Sequence, residues 1–151
     1  MILVIITGIY LLSFVILTTI FLGWQTSISN NYKSLPKGYK WIFVVFMLIL
    51  GSLCIAIGKN NAMTIAGFGC WFVGCFPRFY DDQNIQHYIG ALAIIVGGMW
   101  EISAFWYLLI IFAIGAGLMY KFITKNYIFW IEIAAFVIII TGLWISTGMA
   151  Q

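Results

Sequence analysis

The residues with chemistry to offer are few and close together. Cys75 to His87 reads CFPRFYDDQNIQH and holds the only arginine (Arg78), the only adjacent acidic pair (Asp81 and Asp82) and the only histidine (His87). A fifth residue, Glu132, stands alone in an apolar run nearer the C-terminus. An ionisable group inside a membrane span is expensive, and by default it marks a site with a partner. Arg78, Asp81, Asp82, His87 and Glu132 are therefore the candidate ligand-binding residues. Arg78 is placed to reach lipid phosphate as an interfacial cation. Neutral imidazole with carboxylates would bind a divalent ion, so Asp81, Asp82, His87 and Glu132 form an alternative metal site. Asp82 and His87 are five apart, about 140° around a helix at ~100° per residue, so they share a face only where Asp82 lies off the helix.

Each residue also has a plainer role. The aspartates suit the positive end of a helix dipole and can cap exposed N–H groups. Arg78 can pair with them. His87 can be a packed, hydrogen-bonded group, and Glu132 can form a packing salt bridge with His87, Lys40 or Lys121. One histidine excludes bis-histidine haem ligation and three-histidine zinc within this chain. No G-x-S-x-G, P-loop or dinucleotide fingerprint is present. No cofactor is predicted from this inventory apart from the alternative divalent metal, and it names no catalytic residue.

The elements that must position these groups follow from composition. The 151 residues are 64% hydrophobic and 7% charged, with a mean hydropathy of +1.10. Soluble domains are about 45–50% apolar and about 25% charged, so the solvent must be lipid. A net charge of +3 without any basic run gives no reason to expect nucleic acid as a partner. The apolar N-terminal run lacks the positive flank and small-residue cleavage site of a signal peptide and reads as a retained span. Cys54, Cys70 and Cys75 form no C-x-x-C and read as buried free thiols.

A span needs about 20 apolar residues, with a range of about 17–25. The pattern predicts an all-α, polytopic integral membrane bundle, one domain over 1–151, with helices at about 2–24, 41–57, 62–76, 85–100, 103–120 and 127–147. QTSISNNYKSLPKGYK is the one long polar loop, and Pro77 ends the third helix because it lacks the donor to continue it. The apolar run from Ile85 to Tyr120 is broken at GGMWEISAF, where Gly97, Gly98 and Glu101 suggest a turn. The alternative is five helices, with that run as one long tilted helix and Glu101 inside the membrane. Ser52/Ala56, Cys70/Gly74, Ala93/Gly97 and Ala113/Gly117 are small-xxx-small pairs that let backbones approach, which would gather the second to fifth spans into a compact bundle.

Phe76, Pro77, Asp81 or Asp82, His87, Gly90 and Ala91, set across the third and fourth of six short spans, resemble the DRAM-like membrane proteins (damage-regulated autophagy modulators and their prokaryotic relatives). This chain is shorter, and LAIIVGG stands where that superfamily continues with phenylalanines. The resemblance implies a lipid-linked or membrane-organising role without established catalysis.

The expected function is binding or modulation in the bilayer, with membrane lipids as partners. Two alternatives stand beside it. One is a small accessory subunit of a larger membrane complex, suggested by the short loops. The other is a metal-dependent enzyme acting on lipid.

Six spans put Lys33, Lys37, Lys40, Arg78, Lys121 and Lys125 on one side and only Lys59 on the other. Excess Lys and Arg marks the cytoplasm, so both termini are expected to be extracytoplasmic. A reporter fused at Gln151 should therefore read extracytoplasmic. A cytoplasmic reading would overturn either the span count or the orientation.

Overall fold

The computed structural model describes residues 1–58, 61–76, 85–123 and 125–148. The described residues are helical throughout, with short linking turns. Six long helices account for most of them: α1 (Ile2–Leu22), α3 (Trp41–Ile57), α4 (Asn61–Cys75), α5 (Ile85–Glu101), α6 (Trp106–Phe122) and α7 (Tyr127–Gly148). A seventh, α2 (Asn31–Ser34), is a single turn within the loop between α1 and α3. Four segments are long and apolar enough to cross a membrane: Ile2–Leu22, Lys37–Ile57, Ser103–Phe122 and Tyr127–Gly148. α4, with 15 residues, and α5, with 17, are shorter.

Five long helices close a ring in which α1 meets α3, α3 meets α4, α4 meets α5, α5 meets α7 and α7 returns to α1. α6 lies outside the ring, chiefly against α7. The outer surface is apolar: Phe21 is 79% exposed and Ile2 73%. That is untenable in water and ordinary in hydrocarbon.

α4 is the centre of the tightest packing. A Cβ on Gly67 would stand 2.6 Å from the Gly51 carbonyl oxygen of α3. A Cβ on Gly69 would stand 2.5 Å from the Gly90 carbonyl oxygen of α5, and one on Gly97 2.5 Å from that of Ala62. These obstacles are backbone atoms, which cannot swing aside, so the helices touch main chain to main chain.

Several expectations need correcting. Gly97 and Gly98 are not in a turn: they are buried in α5, against Ala62 and Ala66 and against Ile139 respectively. The break falls after them, where Ser103–Phe105 forms a single 3-10 turn before α6. Of the small-residue pairs, Cys70/Gly74 is buried and Ala93/Gly97 lies at the α4–α5 contact. Ser52, Ala56, Ala113 and Gly117 are exposed. In α3 the contact is made by Gly51, one position away, and α6 is no part of the compact bundle. Cys54 and Cys70 are buried free thiols, but Cys75 is exposed.

Gly69→Ala should lower stability by about 1–3 kcal/mol, because the new methyl meets backbone. Gly117→Ala meets nothing within 4 Å and should leave stability unchanged or slightly raised. Thermal unfolding of both variants in detergent checks this, and equal losses would contradict the packing argument.

Candidate functional site

The segment between α1 and α3 was expected to be a polar loop, but it folds back into one end of the ring. Gly23, with φ +73°, ends α1 in the left-handed region that glycine adopts freely. Ser27 then accepts the Asn30 N–H and starts a 3-10 turn. Ile28 is buried, Asn31 is 1% exposed and Tyr32 3%. Asn31 donates from Nδ2 to Thr18 Oγ1 at 3.2 Å, and Thr18 donates onward to the Phe14 carbonyl. Burial pushes the Tyr32 phenol up from its ordinary pKa.

This loop is clamped to α7 by two hydrogen bonds that run in opposite directions. The Phe129 N–H donates to the Thr26 carbonyl at 3.1 Å, which satisfies an N–H of the first turn of α7. The Ile28 N–H donates to Glu132 Oε2 at 2.5 Å. Glu132 therefore takes a backbone donor, not one of the side chains expected for it. The two lysines offered as its partners lie elsewhere: Lys40 Nζ is 4.8 Å from the Tyr32 ring centroid and Lys121 Nζ 5.5 Å from that of Phe122.

His87, in the first turn of α5, is 4% exposed. Its Nδ1 lies 3.3 Å from the carbonyl oxygen of Phe76, just past the end of α4. A carbonyl only accepts, so the partner assigns the proton to Nδ1. His87 thus ties the end of α4 to the start of α5.

His87 and Glu132 line one cavity of about 100 Å³, partly open to the surroundings. Phe43, Met47, Ile94 and Phe136 supply apolar wall, Ile28 and Ser29 bring the loop to it, and Phe112 of α6 reaches it. The volume exceeds the ~10–15 Å³ that a water needs and is less than the 150 Å³ that holds a benzene, so it admits a small head group and a few carbons.

Arg78, Asp81 and Asp82, together with Pro77 and the 78–84 loop, lie outside the described residues. Among those described, no three His, Cys, Asp or Glu side chains gather as a metal site. The residues that sequence reasoning missed are those of the loop, Ile28 above all. A signal was present, because Ile28 and Tyr32 are the large apolar side chains in QTSISNNYK and stand four apart, one helical turn.

Comparison with protein-family models, with curated proteins and with solved structures finds no match to this chain.

Glu132→Ala removes the acceptor of a buried N–H and should cost about 1–3 kcal/mol, with faster hydrogen exchange at Ile28. Glu132→Gln keeps an oxygen acceptor and should preserve protection of that amide. Exchange read by mass spectrometry separates the two, and loss of protection in both variants would show that charge, not the acceptor, holds the loop.

Proposed function

We propose that this is a six-span integral membrane protein, with both termini extracytoplasmic, that binds a membrane amphiphile in the cavity between His87 and Glu132. The observation that carries the reading is the cavity's composition: among the described lining residues, two ionisable side chains stand in an otherwise almost wholly apolar wall. Ligand sites are typically concave and apolar, with a few placed polar groups. A bilayer supplies molecules of that same division, a polar end and a hydrocarbon end. The role is binding or modulation. The likeness to DRAM-like membrane proteins supports the same reading, since what it implies is a lipid-linked role without established catalysis.

A second reading is an accessory subunit of a larger membrane complex. It draws on α6, which packs chiefly on α7 and leaves Gly115 and Gly117 with nothing within 4 Å. Small residues on an open helix face allow another helix close approach.

Native mass spectrometry after purification in mild detergent tests the first reading. The wild-type chain should carry a lipid-sized adduct. Ala91→Leu fills the cavity, should abolish the adduct and should leave the melting temperature equal or higher. An adduct that persists in Ala91→Leu would place the ligand elsewhere. A co-purifying protein subunit in place of the adduct would favour the second reading.

A further inference from the structure

Charge is divided unevenly between the two ends of the molecule. α1 and α6 finish, and α3 and α7 begin, at the end that holds the loop. Five lysines gather there: Lys33, Lys37 and Lys40 in the loop, Lys121 in the last turn of α6 and Lys125 just before α7. Four of them are exposed, and Lys40 is half-buried over the Tyr32 ring. Neither 23–41 nor 120–131 contains an acidic residue. Glu132, which follows, accepts the Ile28 N–H. The 77–84 stretch between α4 and α5 carries Arg78, Asp81 and Asp82, a formal charge of −1 in the sequence, so the lysines stay in excess. At the far end, the described residues include Glu101 and neither lysine nor arginine.

The loop holds its lysines in fixed turns. Lys33 lies in α2, closed by the Leu35 N–H donating to the Asn31 carbonyl at 3.0 Å. Lys37 opens the 3-10 turn Lys37–Tyr39, closed by the Tyr39 N–H donating to the Pro36 carbonyl at 2.8 Å. Asn31 pins this loop to α1, and Ile28 and Thr26 pin it to α7. The Thr26–Phe129 bond also brings the α6–α7 turn, with Lys125, alongside the loop. Exposed aromatic residues stand next to the lysines: Tyr39 and Trp41 flank Lys40, Tyr120 precedes Lys121, and Trp24 opens the loop. Tryptophan and tyrosine settle at head-group level, so lysines beside them meet phosphate.

We infer that this end of the molecule is a binding surface for anionic phospholipid, with Lys33, Lys37 and Lys125 as its principal contacts and Lys40 and Lys121 at its margin. The inference goes beyond the cavity reading, because the surface takes head groups from outside the ring. A lysine ammonium is a compact point charge that binds phosphate without needing a fixed fork of donors. A zwitterionic head offers phosphate too, but its own ammonium cancels the attraction at a distance. An anionic head leaves the attraction whole, and five lysines add their fields over the same patch. The fixed turns favour binding further, since groups already ordered lose less freedom when a head group docks. The membrane is the source the aromatic residues indicate, because they hold the lysines at the depth where its phosphates lie.

Thermal unfolding of the full chain in a non-ionic detergent is the test, since a ligand of the folded state raises the melting temperature as its concentration passes its Kd. The probes are phosphatidylglycerol and phosphatidylcholine with the same acyl chains, and inorganic phosphate. Phosphatidylglycerol should stabilise at concentrations at least about fivefold lower than phosphatidylcholine, the factor for a single lysine near an anionic surface. Inorganic phosphate should have no effect. Salt at about 1 M, which shortens the screening length from about 10 Å at 0.1 M to about 3 Å, should erase the preference. The triple variant Lys33→Gln, Lys37→Gln, Lys125→Gln should erase it at low salt, and Ala91→Leu should keep it. Equal action of the two lipids, or a preference that survives high salt or the triple variant, would overturn the inference. Stabilisation by inorganic phosphate would assign the lysines to a soluble anion and overturn it as well. A preference lost in Ala91→Leu would move the lipid into the cavity, overturning this surface and supporting the cavity reading. The salt comparison uses the wild-type chain alone, so it decides the matter even if the triple variant proves unstable.

Discussion

Main-chain contact across α4 is the constraint on which the rest of the molecule depends. Lipid tails are as apolar as leucine, so burial of side chains gives helices no reason to associate there. What remains is close packing and the dispersion contacts it brings, each ~0.1–0.2 kcal/mol and significant only in number. Gly67 on one side of α4 and Gly69 on the other let α3 and α5 approach until main chain meets main chain. α4 becomes a fixed plate. Its end then presents the Phe76 carbonyl where His87 can reach it, and its Val73 is one wall of the cavity.

The opposite wall is held by different physics. α7 meets α1 and α5 less intimately than α4 meets its neighbours, and its first turns are tied to the loop by the Thr26–Phe129 and Ile28–Glu132 hydrogen bonds. In water such bonds are worth about 0.5–1.5 kcal/mol each. In an apolar surround, breaking them leaves groups unsatisfied at a cost of roughly 2–7 kcal/mol by transfer scales. The cavity thus lies between a wall fixed by shape and a wall fixed by polarity. Glu132 belongs to the second wall as a fastener, and it is the one acidic residue among the described residues that line the cavity.

The helices were legible because a long apolar run bounded by polar residues has few alternatives. Trp41–Ile57 coincides with its expected bounds, and Ile2–Leu22 stops two residues early because Gly23 turns the chain. Which face of each helix lies inward was less legible. A helix that is apolar all round gives no contrast between its faces, so small-residue spacing pointed to Ser52/Ala56 in α3, where the contact is made by Gly51. Gly97 and Gly98 read as a turn by type, but their neighbours make them packing residues. His87 and Glu132 stood out because charge is rare in this chain. The donor that Glu132 takes did not, because a backbone N–H has no letter of its own in the sequence. Arg78, Asp81 and Asp82 lie outside the described residues.

The shortness of α4 has a consequence for the bilayer itself. Fifteen residues rise about 22 Å, against a hydrocarbon core about 30 Å thick. On the six-span reading, a helix that falls short of the core cannot correct the difference by tilting, which only shortens its reach. Bound to α3 and α5 through backbone, it cannot slide toward one surface without them. The membrane must give way, thinning beside α4 and α5 at a cost of fractions of a kcal/mol per Å. Such a protein is most comfortable in a thin bilayer. It would also impose a thin patch on a thicker one, on the flank where α4 and α5 stand side by side.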